Sequence, residues 1–471
     1  MFQRSLLKDA DVEPLGEAAL TILEKVGALY QNDEILKALD AAGARVDYQR
    51  QVATFPRKMV SEFLEAVRKE APKTPDDGHR KFSPPGEGGL FHNLSQYFYD
   101  AEKRERRIGN KRDYIELLKL GDVLHPERGV GHCILLSDVP AAVEPLEATL
   151  LQFEYAHKPR GAYVQDVRQV PYLMEMEAIS GVQGLHWLAN CGFSSPLRFG
   201  KDIADRFVYG IKHGRPANLY VMTVSGAGMP VSVAGCMALC GAEFVANWIA
   251  GRALNPNCPI SAGAWIATMD MRTGETSYSA FDAVMRNLAV REFMLRWTGM
   301  TIGAGGGEYT AAKTPGLYAA LEKAYNAMTI AAFTGSHASV GIGHLDGGLS
   351  MSSVQLLLDR EMARTLRHLA GPVEVSPETI ALDSILAVGH ATNGNYMDAD
   401  STVRHFRAAL WLPELLERVG WAGAETEEKA LAKAQKKVNE FVAAYKKPDM
   451  DADKLAKLRQ VVERARKALS A

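Results

Sequence analysis

ANLYVMTVSGAGMPVSVAGCMALCGA, residues 217–242, carries no charged side chain and admits two incompatible readings. A hydropathy window set for membrane spans would accept it as one transmembrane helix. SGAGMP at 225–230 argues otherwise, because a Gly/Pro turn at membrane depth would strand backbone polar groups that lipid cannot satisfy. The stretch is therefore read as a strand (217–225), a loop and the start of a helix. That is one βα unit, and similar units flank it on both sides.

From about residue 129 the sequence alternates strand-like apolar runs with amphipathic helices. Strands are expected at VGHCILLSD (130–138), GAYVQDV (161–167), HWLANCGFS (186–194), ANLYVMTVS (217–225), CPISAGAWIATMD (258–270), MTIGAG (300–305) and SVGIGHLD (339–346). Helices are expected at Val143–His157, Lys201–His213, Tyr278–Trp297, Leu317–Phe333 and Ser352–Leu369. Continuous apolar strands joined by helices imply a parallel sheet, and seven or eight such units suit closure into a (β/α)8 TIM barrel. The eighth strand would come from Ile380–Val388 or from the 90–99 segment. An open doubly wound sheet is the alternative.

The flanks differ in character. Apolar residues recur at helical spacing over Val12–Leu29, Asn32–Ala42 and Val60–Val67, which predicts a helical lead-in. APKTPDD and SPPGEGG then break the chain, and GLFHNLSQYFYD (89–100) reads as a short aromatic strand or hairpin. Glu425–Ala471, rich in Lys, Glu, Ala and Leu and broken at KKPDMDAD, reads as two exposed helices with a solvated charged face. The expected organisation is N-terminal helices and an aromatic hairpin packed on the barrel over 1–125, the catalytic barrel over 126–400 and a helical extension over 401–471.

Composition narrows the partners. The 471 residues carry a formal charge of −2, with 47% hydrophobic and 23% charged residues. Such a chain has no general attraction for nucleic acid or anionic lipid. Five cysteines, an odd number scattered through apolar runs, predict reduced thiols and a cytoplasmic protein. The first ten residues lack the order of a signal peptide. No Walker loop, HExxH or CxxC is present. Cys236 and Cys240 share a helix face, yet no neighbouring ligands complete a zinc set, so both are assigned to the core and no metal site is expected.

If the barrel forms, the loops after its strands meet at one mouth. Those loops are SGAGMP, MDMRTG, GGGEYTAAK and HLDGG. The third belongs to TIGAGGGEYTAAK (301–313), whose glycines permit tight turns and close approach and which delivers Glu308 and Tyr309 to the strand end. His344 and Asp346 end the next strand. The glycine run also suggests a phosphate cradle, although it lacks the helix start and fixed Lys or Ser of a P-loop.

Several stretches together resemble the trimethylamine:corrinoid methyltransferase family, in particular its members without pyrrolysine, which include a glycine betaine methyltransferase. They are ILEKVGALYQNDEILKALDAAGARVD (22–47), SSPL (194–197), VSGAGMPVSVAGCMALCGAEFVA (224–246), MDMRTG (269–274), TAAKTPGLYAALEKA (310–324), GIGHLDGGLSMSSVQLLLDREM (341–362) and VSPETIALDSILAVGHATNGNYMDADST (375–402). The resemblance implies a TIM barrel that passes a methyl group from an amine to the Co(I) corrinoid of a separate carrier protein, with no cofactor of its own held tightly. Pyrrolysine members place that residue before Ser-Asp-Ala-Lys, which corresponds here to Thr310-Ala311-Ala312-Lys313. Tyr309 therefore stands at the pyrrolysine position.

That replacement points away from trimethylamine and toward a quaternary amine such as glycine betaine, which loses a methyl cation equivalent to leave a neutral tertiary amine. Tyr309 and Glu308 are the expected catalytic pair. Tyr97, Tyr163, Trp265 and Phe281 are candidate walls for the ammonium, since aromatic faces attract quaternary cations. His344 and Asp346 are candidate substrate contacts, and Gly305, Gly306 and Gly307 would give room for the corrinoid face. A homo-oligomer is expected. The competing readings are a phosphate-ligand lyase or isomerase that forms a Schiff base through Lys313, and a non-catalytic binder of quaternary amines.

Overall fold

The computed structural model describes residues 5–71, 89–91, 94–188, 192–305, 307–335, 340–369, 373–390, 394–421, 423 and 425–469. Residues 72–88, which hold all of the breaks APKTPDD and SPPGEGG but Ala71 and Gly89, and residue Gly306 lie outside them. The chain is a mixed α/β protein in which many helices surround small sheets.

The 217–242 stretch folds as its loop signal requires. Strand Ala217–Ser225 alternates buried Leu219, Val221, Thr223 and Ser225 with more open positions and leads through the 226–230 turn to helix Val233–Leu254. Ser232 caps that helix by accepting the Gly235 N–H. Among the described residues this is the one helix long and apolar enough to cross a membrane, and its central residues Cys236 to Gly251 are all buried. It is covered by helices Asp9–Lys25, Asp33–Ala41 and Phe281–Thr298, which is why an apolar stripe would not suffice and its buried stretch is apolar on all sides but for Glu243 and Asn247. Cys236 and Cys240 are core residues within it.

Strand Ile260–Met269 runs parallel to Ala217–Ser225 in unbroken register from Ala217↔Ile260 to Ser225↔Thr268, and Gly303–Ala304 pairs parallel to it through Gly263 and Ala264. Elsewhere Ala162–Val164 pairs parallel with His186–Leu188, and parallel bridges join Val130 to Pro159 and Ser95 to Ile134. Strand Tyr97–Asp100 is parallel to Ser350–Met351 and antiparallel to Glu105–Ile108. Of the two segments considered for an eighth strand, only the one around residue 95–99 enters a ladder.

Ile380–Val388 is not a strand. It forms the end of helix Pro377–Ile380 and helix Leu382–Val388, because Ser376 accepts the Thr379 N–H in a capping box and Pro377 presets the first helical turn. VGHCILLSD is extended but paired only at Val130 and Ile134. The first helix stops at Lys25, where Gly27 takes a positive φ of 69° and turns the chain into strand Ala28–Tyr30. The other helices with expected ranges lie within a few residues of them, the usual uncertainty of helix ends, while Lys111–Leu124 and Val170–Ser180 have no expected counterpart.

The C-terminal helices, expected as exposed, each bury one face. In Thr426–Ala444, Ala434 and Val438 join the hydrophobic cluster of helices Lys111–Leu124 and Ser353–Leu369. In Ala452–Leu469, Leu458, Val461, Val462 and Ala465 pack with Val170–Ser180 and Glu144–Tyr155. The charged face remains outside and pairs back onto the body through Arg459–Glu154 and Arg464–Glu175, both at 2.6 Å.

Glu243 sits fully buried inside helix Val233–Leu254. Its carboxyl accepts the Leu197 N–H at 2.8 Å and the Ser195 hydroxyl at 3.0 Å, which ties the SSPL loop to the helix. Burial outweighs these bonds and pushes its pKa up to about 7 from 4.5. An acid whose folded pKa is raised favours the folded state below its unfolded pKa and loses that contribution as pH climbs to the folded value. Relative to Glu243→Gln, the natural protein is therefore expected to lose about 3 kcal/mol of stability as pH rises from 4.5 to 7, with little further change above. Urea denaturation of both proteins across that range checks it. A difference that does not change with pH contradicts it.

Candidate active site

A cavity of about 1460 Å³ opens where several strand ends and the loops after them converge. Met222 reaches it from strand Ala217–Ser225, Tyr163 from Ala162–Val164, and Tyr278 from the loop before helix Phe281–Thr298. Tyr309 and Lys313 reach it from the glycine-rich segment, and Asp346 from the end of strand His344–Leu345. SGAGMP lies on the turn beyond Met222, and Glu275 brings the end of the MDMRTG loop to the wall.

Tyr309 is held from both sides. After Gly303–Ala304, Gly305 donates its N–H to the Ala264 carbonyl at 3.0 Å, and the chain turns. The Thr310 hydroxyl and the Ala311 N–H then both donate to Glu322 Oε2 at 2.7 Å, a carboxylate that also accepts from the Ser279 hydroxyl at 3.2 Å. Asp346 and Gly347 donate their N–H groups to the Ala312 and Thr310 carbonyls, each at 2.8 Å. These bonds leave Tyr309 with 8% of its surface exposed.

Its ring lies 5.1 Å from that of Tyr278, tilted by 36°. Gly348, at φ +94°, backs the ring so closely that an added Cβ would fall 2.7 Å from it. Burial, reinforced by the charge of Glu308, pushes the Tyr309 phenol far above its ordinary range. It stays protonated at any working pH and offers a neutral π-face rather than a base.

Asp346 takes a positive φ of 54° and pairs with both Lys313 and Arg106. Lys313 also lies 4.0 Å from Glu275, and its side chain remains 58% exposed at the cavity edge. Two cations thus share this corner of the cavity with two carboxylates.

The other expected site residues sit elsewhere. Glu308 does not line the cavity; it accepts the indole N–H of Trp265 at 2.7 Å. Trp265 stacks obliquely on Tyr220, with ring centroids 4.6 Å apart, and its indole lies across Gly263, Gly303 and Gly305. A Cβ at Gly305 would fall 1.6 Å from the indole nitrogen. The space left by Gly305 is therefore filled by Trp265, which weakens the phosphate-cradle reading. Gly307 is buried, and the expectation for Gly306 concerns a residue outside those described.

Tyr97 already carries a cation, since the Arg106 guanidinium stands 4.4 Å over its ring. Phe281 is 58% exposed and stacks on Tyr325 at 4.2 Å, outside the cavity. His344 is fully buried, and burial together with the Lys323 charge pushes its pKa down to about 3, so its ring is neutral near pH 7. Of the aromatic candidates, Tyr309 and Tyr163 reach the cavity, and Asp346 joins them.

Tyr278 is the wall residue missed by the sequence. Helical periodicity starts at Tyr278, but the Ser277 hydroxyl accepts the Ser279 and Ala280 N–H groups, which delays the helix to Phe281. Arg168, Lys201 and Arg206 also line the cavity, Arg168 from the short helix Val167–Gln169 and the other two from helix Lys201–Lys212, in segments that carry no motif. Among the described residues, no three His, Cys, Asp or Glu side chains are grouped as metal ligands.

A family model described as trimethylamine methyltransferase (MTTB) matches residues 2–470. The chain is 23% identical to a trimethylamine methyltransferase MttB of Desulfitobacterium hafniense, over 85% of this chain and 81% of that one. It is 22% identical to a glycine betaine methyltransferase of the same species over 95% of both chains. To trimethylamine methyltransferase MttB2 of Methanosarcina mazei it is 25% identical, over 58% of this chain and 55% of the other. With nearly its whole length under the family model, the chain belongs to the trimethylamine methyltransferase (MTTB) family, a family of methyltransferases.

Proposed function

We propose that this chain demethylates a quaternary amine, glycine betaine or a similar betaine, and that the methyl acceptor is the Co(I) corrinoid of a partner carrier protein. The observation that carries the reading is the buried, neutral ring of Tyr309 beside Tyr278 on the cavity wall. Two adjacent π-faces suit a cation that has no N–H to donate, each contributing about 0.5–2 kcal/mol when water is excluded. The same architecture is proposed to be a closed (β/α)8 barrel. Supporting it are the parallel pairs that follow one another along the chain and the gathering of post-strand loops at one mouth.

The cavity also fits a second, larger reactant. At about 1460 Å³ it exceeds the ~300–1,000 Å³ of ordinary small-ligand pockets, leaving space for a corrin face next to a small amine. When bound, the Co(I) centre would supply the nucleophile for displacement at the methyl carbon. This chain's residues do the rest by placement. Tyr309 and Tyr278 hold the ammonium, Tyr163 narrows its approach, and Lys313 meets a betaine carboxylate at the cavity edge. Holding the methyl carbon in line and free of water lowers the barrier without proton transfer. The leaving tertiary amine is neutral and gains nothing from the cation site, so release follows.

Two expected outcomes test this assignment. Tyr309→Ala should weaken betaine binding roughly tenfold or more, measured by calorimetry, whereas Tyr309→Phe should stay within about threefold because the π-face remains. Unchanged binding in the alanine variant, or equal loss in both, contradicts the aromatic wall. Lys313→Ala should weaken glycine betaine about tenfold through loss of a charged hydrogen bond and leave tetramethylammonium nearly unaffected. Equal loss for both ligands would remove Lys313 from carboxylate recognition.

A further inference from the structure

Helix Leu317–Thr334 places three polar side chains, Glu322, Lys323 and Asn326, among its buried residues, where a helix packed on a core ordinarily presents an apolar stripe. Lys323 is answered by Asp359 of helix Ser353–Leu369. Glu322 and Asn326 reach in another direction, to the two segments that carry the tyrosines of the cavity wall.

Glu322 Oε2 accepts the Thr310 hydroxyl and the Ala311 N–H, each at 2.7 Å, directly after Tyr309. The same oxygen accepts the Ser279 hydroxyl at 3.2 Å, directly after Tyr278. Asn326 Nδ2 donates to the Ser279 carbonyl at 2.8 Å, so Ser279 is bound through its side chain and its backbone together. Tyr325, itself hydrogen-bonded to Glu322, stacks on Phe281 with ring centroids 4.2 Å apart. Ser279 and Thr310 have no solvent contact, and water therefore does not compete for these bonds. A buried carboxylate is costly unless donors surround it, and an apolar side chain would fill the same space without that cost. What the apolar side chain would lack is a hold on either segment.

We propose that Glu322 is a positioning residue of the cavity wall: one carboxylate oxygen fixes Tyr278 and Tyr309 relative to each other, and Asn326 secures the Tyr278 side. On the function proposed above, on which this use of the rings rests, the occupant is a quaternary ammonium. The rings stand 5.1 Å apart at 36°. A cation gains from both only while it lies within about 6 Å of each centroid, so the placement of one ring against the other decides the fit. Two rings on separate loops would have to be ordered by the incoming cation; a shared anchor sets them beforehand and removes that cost from binding. Nothing local predicts the anchor, because its donors lie 43 and 12 residues away from Glu322 along the chain.

Crystal structures without ligand test the anchor directly. In Glu322→Ala the two rings should shift against each other by more than about 0.5 Å, the tolerance within which a built site keeps its geometry. Glu322→Gln, whose amide oxygen still accepts, should hold them within it. Should Glu322→Ala fail to fold, Ser279→Ala and Thr310→Val remove the bonds one side at a time, and each should displace the tyrosine that precedes it. By calorimetry, tetramethylammonium should bind roughly tenfold more weakly to Glu322→Ala and within about threefold of normal to Glu322→Gln. Added to Tyr309→Ala, Glu322→Ala should cost at most about threefold more, since one of the two rings it places is already gone. A purely structural role would lower Tm and leave the affinity of the folded protein unchanged. Rings that stay in place in the variants, rings that move with no change in tetramethylammonium affinity, or full additivity with Tyr309→Ala would overturn the proposal. If the natural protein binds no tetramethylammonium, the quaternary-amine reading fails, and ring displacement alone decides the role of Glu322.

Discussion

Two opposite charges with no solvent contact, Lys323 Nζ and Asp359 Oδ2, lie 2.6 Å apart between helices Leu317–Thr334 and Ser353–Leu369. Asp359 also accepts the Gly343 N–H at 2.8 Å and the Gln355 amide at 2.7 Å. Such a pair is tolerable because each charge answers the other and further donors meet Asp359; either partner alone would be an uncompensated buried charge costing about 3–5 kcal/mol. Its consequence is positional. It fixes the segment entering strand His344–Leu345, and with it Asp346, which gathers Lys313 and Arg106 at the cavity. Gly341 belongs to the same constraint, because at φ +99° an added Cβ would fall 2.8 Å from both charged atoms.

From this anchor the cavity follows in layers. Trp265 and Tyr220 stack across the glycines of the central parallel strands, and Glu308 fixes the indole. Beside them, Glu322 accepts the Thr310 hydroxyl and the Ala311 N–H and so holds the chain just after Tyr309. Glu308 and the glycines thereby act on the site through Trp265 and the backbone, while the wall itself is made by Tyr309, Tyr278 and Tyr163. The division suits a reaction in which placing a methyl carbon matters more than moving a proton.

Much of this was legible in the sequence, and for identifiable reasons. The strand, turn and helix of 217–254 followed from a Gly/Pro break in an uncharged run. Tyr309 was singled out by its place just past the glycine turn together with the family segment 310–313 that follows it, although Glu308, nearer the turn, lies off the cavity. What escaped depended on partners far along the chain. Arg106 and Asp346 are 240 residues apart, and nothing local to Tyr97 reveals that its face is already taken. Gly305 looked like space for a ligand, yet the indole that fills it comes from 40 residues earlier. At Ile380–Val388 an apolar run suggested a strand, and a Ser-Pro cap made it helical. Tyr278 was lost to a one-turn error in where a helix begins.

The most direct measurement of the central claim is methyl transfer itself. The protein would be mixed with Co(I) cobalamin and, separately, with glycine betaine, proline betaine, carnitine and trimethylamine, while the visible spectrum of the corrinoid is followed. The account predicts loss of the Co(I) absorption with at least one quaternary amine and none with trimethylamine. A spectrum that remains unchanged with every quaternary amine, or that changes with trimethylamine alone, would contradict it.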